Sequence, residues 1–191
     1  EAIFNSAIRL AKEGMVIKPE IMIPLIAEKS ELLLIKAFLC QHIDSIFKKH
    51  HMQPFPYEIG TMIELPRACF IADQLAKEAD FFSFGTNDLT QMTYGFSRDD
   101  IGKFIQHYKD KEIMSFDPFQ TIDQTGVGEL MKIAISKAHQ VNPNLPIGVC
   151  GEVGGDPASI PFFQNIGITY VSCSPYRVPA ARLAVAQATI S

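Results

Sequence analysis

Short apolar runs recur along this chain, and stretches with helical spacing separate most of them. The runs contain many branched and aromatic residues and few polar ones. Such near-continuous apolar character predicts strands that are buried on both faces, as in a parallel sheet. The five predicted strands cover residues 21–25, 59–64, 81–84, 147–150 and 169–173.

The segments between the predicted strands show the periodicity of amphipathic helices. After the first strand, apolar residues from Leu32 to Ile43 recur at nearly 3.6-residue spacing, and Ser30 is the predicted N-cap. The predicted helices cover residues 30–49, 66–79, 128–139, 156–165 and 179–188. Residues 94–125 are irregular but rich in aromatic side chains, so we expect an ordered covering loop there.

The alternation of strands and helices predicts an α/β fold built from right-handed βαβ units. Two architectures fit this order: an open doubly wound sheet, or part of a (β/α)₈ barrel. No GxGxxG motif follows the first predicted strand, which argues against a dinucleotide-binding version of the doubly wound sheet. No repeat, low-complexity tract or linker interrupts the chain, so we expect one domain.

Composition narrows the function classes. The 191 residues are 47% hydrophobic and 20% charged, an ordinary globular balance. A net charge of −4 argues against a nucleic-acid-binding module, and no apolar run reaches the roughly 18 residues of a membrane span. The four cysteines lack CxxC or zinc-finger spacing, so we expect reduced thiols in a cytoplasmic protein.

Polar side chains stand where three of the predicted strands end. Glu64 and Asp88 end two consecutive strands, and Cys150 ends a third. Ligands of parallel α/β folds bind at this edge of the sheet. Two carboxylates on strands about 4.8 Å apart repel unless a cation such as Mg²⁺ neutralises them. The alternative is that Glu64 pairs with Arg67 and Asp88 caps the next helix.

Two further features of this edge have a functional and a structural interpretation. A polar turn leaves the third strand and consists of Gly85, Thr86, Asn87 and Asp88. Its backbone N–H groups, backed by a helix N-terminus, can bind a substrate carboxylate, but the turn can also be a plain Asx-turn. The Cys150 thiol can act as a nucleophile or as an acid–base group, but a buried cysteine can also be a small hydrophobe.

The segment Asp80-Phe-Phe-Ser-Phe-Gly-Thr-Asn-Asp-Leu-Thr-Gln-Met-Thr-Tyr-Gly-Phe-Ser-Arg98 resembles the signature of the phosphoenolpyruvate-utilising enzymes. Residues 61–67 resemble that family's metal-ligand strand, and residues 149–152 resemble its catalytic cysteine strand. The resemblance runs from about Pro19 to the C-terminus. It implies a (β/α)₈ barrel, of which the five predicted strands would be the fourth to the eighth.

The resemblance also implies an activity. The family member most like this chain would be an Mg²⁺-dependent phosphotransferase that interconverts ATP, phosphate and pyruvate with AMP, diphosphate and phosphoenolpyruvate. By resemblance, Glu64 and Asp88 would hold Mg²⁺ and would bind substrate together with Gly85, Thr86 and Asn87. Cys150 would protonate the methylene carbon of the substrate and remove that proton in the reverse direction.

The implied partners lie partly outside this chain. They are pyruvate or phosphoenolpyruvate, a phosphohistidine domain of the same parent chain, and a second copy in a homodimer. The first three barrel strands and an ATP-binding domain would also be missing, so this chain alone is expected to be inactive. Two alternatives remain: a relative with another phosphoryl partner, such as phosphoenolpyruvate synthase or Enzyme I, and an idle fragment that only binds ligand or dimerises.

Overall fold

A computed structural model describes residues 1–190. The strands are β1 (Glu20–Ile23), β2 (Glu58–Ile63), β3 (Phe82–Gly85), β4 (Ile147–Cys150) and β5 (Tyr170–Val171). The α-helices are α1 (Ala2–Lys12), α2 (Lys29–Lys49), α3 (Pro66–Phe70), α4 (Ala72–Leu75), α5 (Thr86–Tyr94), α6 (Ile105–Asp110), α7 (Val127–Val141), α8 (Ile160–Asn165) and α9 (Val178–Ile190). Short 3₁₀ turns cover Ile101–Lys103, Glu152–Gly155 and Pro175–Arg177.

The five strands form one parallel sheet in the order β1-β2-β3-β4-β5. Each strand pairs with the next one along the chain. A doubly wound sheet would reverse its strand order at a switch point, and this sheet does not. Connections between neighbouring parallel strands are right-handed in nearly all proteins, which would place the connecting helices on one face. The sheet therefore has the arrangement of about five βα units of a (β/α)₈ barrel, as expected.

The helix-facing side of the sheet forms the main hydrophobic core. Alternate residues of the central strands, among them Ile63, Phe82, Phe84 and Val149, are fully buried there against the helices. Each such side chain stabilises the fold by roughly 1.5–3 kcal/mol relative to exposure. Because the strand period is two, the intervening residues all point to the opposite face. That inner face is where the small and polar strand residues lie.

One level of the inner face consists of Met62, Ser83, Gly148 and Tyr170, which are neighbours in register. Gly148 leaves the space that the Tyr170 ring occupies, because a Cβ at Gly148 would overlap that ring. The Tyr170 hydroxyl therefore reaches across the sheet and donates to the carbonyl of Phe82 at 3.2 Å. A phenol and a serine thus lie side by side below the C-terminal edge of the strands.

Several local predictions needed correction. The prediction that Ser30 caps α2 is wrong, because Glu31 accepts the N–H of Glu28 at 2.8 Å and Glu28 is the N-cap. The helix predicted over 66–79 is two short helices that meet at Ile71. Helices α1, α5 and α6 were not predicted. No helix within residues 1–190 is both long enough and apolar enough to cross a lipid bilayer.

The segment predicted over 94–125 as an irregular covering loop contains a 3₁₀ turn and helix α6, and residues 95–126 connect α5 to α7. Its aromatic rings pack together: Phe96 lies 5.1 Å from Phe104, and Phe104 lies 5.2 Å from Tyr108, between ring centroids. Tyr94, at the end of α5, stacks on Phe96 at 5.2 Å. These contacts give the segment a small aromatic cluster that holds it in one conformation.

Asp123 joins this segment to α7. It is 5% exposed, and its carboxylate accepts the N–H groups of Thr125, Gly126 and Val127 at 3.0–3.1 Å and the Thr125 hydroxyl at 2.9 Å. Burial alone would raise the pKa of Asp123, but these donors, led by the Val127 N–H, hold it below its ordinary value. Asp123 therefore satisfies the N–H groups that open α7.

We expect Asp123→Ala to lower the free energy of unfolding by about 2–3 kcal/mol, because several buried N–H groups lose their acceptor. The lowered pKa places this stabilisation at pH values above the unfolded carboxyl pKa of about 3.9, and it is lost as the pH falls through the folded pKa. Urea unfolding at pH 7 and pH 3 measures both effects. Asp99→Ala, an exposed carboxyl of the same segment, is the matched control. An equal loss in both variants would contradict the capping role.

Candidate active site

The two predicted metal ligands meet at the C-terminal edge of the sheet. Glu64 directly follows β2, and Asp88 lies in the first turn of α5, which begins where β3 ends. The side chain of Asp88 lies within hydrogen-bonding reach of the Glu64 carboxyl. The structure therefore brings together two acidic groups from consecutive strand ends, as the strand-end pattern predicted.

Glu64 is held in an enclosed position. It is 3% exposed, and its Oε1 accepts the N–H of Leu25 at 2.7 Å. Leu25 has a left-handed backbone, with φ of 56°, so the loop after β1 turns sharply at this contact. Burial raises the pKa of Glu64; the Leu25 N–H opposes that rise, and the negative charge of Asp88 adds to it. The site therefore favours uptake of a proton or a cation.

Gly85 makes room for this carboxylate. A Cβ at Gly85 would overlap Glu64 Oε2 and would lie 2.7 Å from Glu64 Cβ and 2.8 Å from Met62 Cε. The structure thus gives Gly85 a steric role. Next to it, Thr86 is 1% exposed, and its hydroxyl donates to the carbonyl of Cys150 at 2.8 Å. Because that hydroxyl already donates to Cys150, the backbone N–H of Thr86 is the group that could make the predicted contact with substrate.

Asn87 carries a buried acceptor without a partner. Within residues 1–190, its Oδ1 is enclosed and makes no hydrogen bond. It faces Gly151, where a Cβ would lie 3.2 Å from it. Leaving a buried polar atom unsatisfied costs about 1–3 kcal/mol, so such a group needs an explanation. The first turn of α5 also presents N–H groups that have no intrahelical acceptor. Asn87 therefore fits a ligand contact.

Cys150 ends β4 beside these groups. It is half-buried, it is level with Gly85 in the sheet, and its thiol donates to the carbonyl of Phe84 at 3.4 Å. Burial raises the pKa of Cys150; Ser83 opposes the rise, and the charges of Glu64 and Asp88 add to it. The thiol is therefore protonated at neutral pH and can donate a proton.

A second cysteine shows what a structural thiol looks like in this fold. Cys69 is fully enclosed in the main core, and burial raises its pKa to about 12. Cys150 differs because it stands at the strand edge with polar neighbours. All four cysteines, which lie within residues 1–190, are free thiols.

Ser83 connects the thiol to a phenol. Its hydroxyl lies near both the Cys150 thiol and the Tyr170 hydroxyl, and it opposes the rise in the pKa of each. Burial raises the pKa of Tyr170, and Ser83 opposes that rise. The strand-end pattern in the sequence did not single out these two residues. The signal was available in the alternation along β3, because Ser83 lies two residues before Gly85 and shares its face.

The two structural alternatives for the carboxylates do not describe this site. Arg67 pairs with Glu28 at 2.6 Å and also donates to the carbonyl of Ala27, so it is not the partner of Glu64. Gly85 occupies the N-cap position of α5, and Asp88 lies three residues later without capping the helix.

Two carboxylates are a donor set that a hard divalent cation can use. Within residues 1–190, no group of three or more His, Cys, Asp or Glu side chains could hold a metal ion. A structural zinc ion would need about four protein ligands. Mg²⁺ takes one or two carboxylates and fills its other positions with substrate oxygens and water. Glu64 and Asp88 therefore match a Mg²⁺ ion that shares its coordination with a substrate.

Comparisons with known proteins show which family the chain as a whole resembles. The family model of the phosphoenolpyruvate-binding domain of phosphoenolpyruvate-utilising enzymes matches residues 1–190. A pyruvate, phosphate dikinase from Clostridium symbiosum is 53% identical over 191 residues, which is 100% of this chain and 22% of that protein. A chloroplastic pyruvate, phosphate dikinase from Flaveria bidentis is 51% identical over 189 residues, which is 99% of this chain and 20% of that protein.

A solved structure gives independent support for the fold. A citrate lyase from Burkholderia xenovorans LB400 superimposes with a TM-score of 0.57 at 17% identity, over 87% of this chain and 48% of that chain. At that identity the likeness concerns the fold alone. The dikinase relatives are much more similar in sequence, and this chain spans about a fifth of their length. With the family model matched from residue 1 to residue 190, the chain belongs to the phosphoenolpyruvate-utilising enzymes and matches their phosphoenolpyruvate-binding domain.

Proposed function

We propose that this chain carries the pyruvate and phosphoenolpyruvate half-site of an Mg²⁺-dependent phosphotransferase. The reaction interconverts ATP, phosphate and pyruvate with AMP, diphosphate and phosphoenolpyruvate. One observation carries the proposal: the acidic pair, the unpartnered Asn87 amide and the Cys150 thiol meet at one strand edge. The identity of 53% and 51% to two pyruvate, phosphate dikinases supports the choice of reaction.

Each residue has a role that follows from its surroundings. Glu64 and Asp88 would hold Mg²⁺, whose charge would offset the negative charge that develops on the substrate oxygens. The first-turn N–H groups of α5 would orient the substrate carboxylate, and the Nδ2 N–H of the Asn87 amide would donate to it. Cys150 would donate its proton to the methylene carbon as pyruvate forms, and would take a proton from the methyl group in the reverse direction.

Ser83 and Tyr170 would complete the proton step. After Cys150 gives up its proton, the thiolate needs hydrogen-bond donors and then a new proton. The Ser83 hydroxyl lies near both groups, so it could donate to the thiolate and could accept from Tyr170 once that hydroxyl turns away from the Phe82 carbonyl. Burial keeps the pKa of Tyr170 raised, so the phenol retains its proton at neutral pH.

The rest of the reaction would use other parts of a longer protein. We propose that residues 1–191 form the C-terminal portion of the barrel, and that the remaining strands, a phosphohistidine domain and an ATP-binding domain complete it. The coverage of 22% and 20% of two relatives supports this. The free thiols support a reducing compartment such as the cytoplasm.

A second copy of the protein is a further proposed partner. Leu34 and Phe38 on α2 are 74% and 67% exposed, which is much for large apolar side chains in the middle of a helix. A homodimer would cover such a surface. Light scattering that gives a monomeric mass would contradict the dimer.

The reaction is tested in the full-length protein that carries this chain, supplied with Mg²⁺ and pyruvate. We expect phosphoenolpyruvate to form only when ATP and phosphate are both present, with AMP and diphosphate as products. Formation without added phosphate would indicate a synthase, and a requirement for a phosphorylated carrier protein would indicate an Enzyme I-like transferase. No product under any condition would favour the idle fragment. Turnover by residues 1–191 alone would contradict the half-site.

A further inference from the structure

The backbone changes direction immediately after Cys150. Gly151 has φ of 103° and ψ of −179°, a conformation that is essentially restricted to glycine. A Cβ at Gly151 would lie 2.5 Å from the Thr86 hydroxyl oxygen, so the chain also passes very close to α5. We call Cys150, Gly151 and Glu152 the cysteine loop. A turn of this kind keeps one conformation only when surrounding contacts hold it there.

Two arginines supply such contacts, and both act on Glu152. Arg98 Nη2 lies 2.6 Å from Glu152 Oε1, and Arg177 Nη1 donates to the Glu152 carbonyl at 3.0 Å. One arginine therefore holds the side chain of Glu152, and the other holds its backbone. The two contacts are separate, because they involve different atoms of Glu152.

The two arginines come from separate parts of the fold. Arg98 belongs to the segment that follows α5, and its own backbone N–H donates to Gln91 Oε1 at 3.0 Å. Arg177 ends the 3₁₀ turn before α9. Its stem packs on Gly155, where a Cβ would lie 2.8 Å from Arg177 Cδ. The cysteine loop is thus fastened to two elements that precede and follow it in the chain.

These contacts surround a cavity beside the site. It has a volume of about 280 Å³, and Asn87, Glu152 and both arginines line it. The side chains of the Arg98–Glu152 pair are 49% and 41% exposed. An exposed pair of this kind stabilises a fold by about 0–1 kcal/mol, so stability is a poor explanation for it. Placement of the loop at the mouth of the site is the better one.

We propose that Arg98 and Arg177 are positioning residues for Cys150 and act through Glu152. The proposal rests on the role proposed above for Cys150 as proton donor. Proton transfer needs the thiol within hydrogen-bond reach of the reacting carbon, so a shift of about 1 Å costs on the order of 10²-fold in rate. Arg98 also connects segment 95–126 to the cysteine loop.

The test measures the rate at which iodoacetamide alkylates Cys150 in the full-length protein at one fixed pH. Mass spectrometry of the digested protein reports the alkylation of each cysteine-containing peptide. Cys150 is half-buried, so a loosened loop exposes it. We expect Arg98→Ala, Arg177→Ala and Glu152→Ala each to raise its alkylation rate by about threefold or more, since accessible thiols react faster. Arg98→Lys keeps the ion pair and is expected to keep the wild-type rate.

Internal and external controls isolate the effect. Cys40, on α2, is the reference thiol whose rate stays constant. Lys132→Ala removes another exposed ion pair, between Lys132 and Glu129 at 2.7 Å, and is expected to leave Cys150 unchanged. In turnover, the arginine variants are expected to lower kcat by about tenfold with an unchanged KM for pyruvate, because only the proton step is displaced.

The outcomes distinguish the positioning role of the arginines from the proposed role of Cys150 as proton donor. Unchanged Cys150 alkylation in all three alanine variants overturns the positioning role, whether or not the protein turns over. Faster alkylation that Arg98→Lys prevents supports it, even in a protein that makes no phosphoenolpyruvate. In that case the proposed reaction is contradicted, and the positioning role of the two arginines is supported.

Discussion

Replacement of Cys150 by alanine is expected to lower turnover of pyruvate and phosphoenolpyruvate by about 10³-fold, the usual range for loss of a positioned acid–base group. The physical reason is the protonation state of the thiol. Burial raises the pKa of Cys150, so it carries its proton at neutral pH beside the place where the substrate carbon would lie. Alanine fills the same position without a proton to give.

Exchange of the pyruvate methyl protons with deuterium, followed by NMR in the full-length protein, reports on this step alone. We expect Cys150→Ala to abolish exchange while Mg²⁺-dependent binding of oxalate, a mimic of the enolate of pyruvate, stays within about twofold. Cys173→Ala is the matched control, because Cys173 is also a free, partly buried cysteine near a strand end. Persistent exchange in Cys150→Ala would show that another group moves the proton.

Replacement of either carboxylate is expected to separate ligand binding from stability. Glu64→Gln and Asp88→Asn should each weaken Mg²⁺-dependent oxalate binding by at least about 100-fold, as expected for loss of a direct metal ligand. Calorimetric titration with oxalate in the presence and absence of Mg²⁺ measures this. Glu129→Gln, an exposed carboxyl on α7, is the control. Unchanged binding in Asp88→Asn would contradict the metal assignment.

The same substitution of Glu64 is expected to raise the melting temperature of the metal-free protein at pH 7. Burial and the charge of Asp88 raise the pKa of Glu64. A carboxyl whose folded pKa is raised favours folding most below its unfolded pKa of about 4.3, and that contribution is lost as the pH rises through the folded pKa. Glutamine keeps an acceptor for the Leu25 N–H without the charge. The gain should therefore disappear near pH 4, and a loss of stability at pH 7 would contradict it.

Much of the site followed from where polar residues interrupt the apolar pattern. All five strands were predicted to within a few residues, because strands buried on both faces are almost continuously apolar. Glu64, Asp88 and Cys150 were placed at one edge because the carboxyl ends of parallel strands always share an edge. That inference needed only that the strands run parallel, which all four strand pairs do.

Other features could not be predicted because they depend on contacts between distant residues. Ser30 looked like an N-cap, but Glu31 reaches back to Glu28 and moves the start of α2. Arg67 stands close to Glu64 in sequence, but it points to Glu28. In both cases a long side chain could reach more than one neighbouring residue. The spacing of residues along the chain does not determine which of them it contacts.

The pattern along the chain was therefore sufficient for the α/β class and for the three residues on which the proposed chemistry depends, whereas the strand order was decided by the structure. These properties arise from periodicity and chain direction, which are local. The link from Cys150 through Ser83 to Tyr170, and the contacts of Arg98 and Arg177 with Glu152, join residues that are at least 25 positions apart in the chain. Such contacts exist only after the strands pair in register and the helices pack, because packing alone determines which of many polar side chains meet.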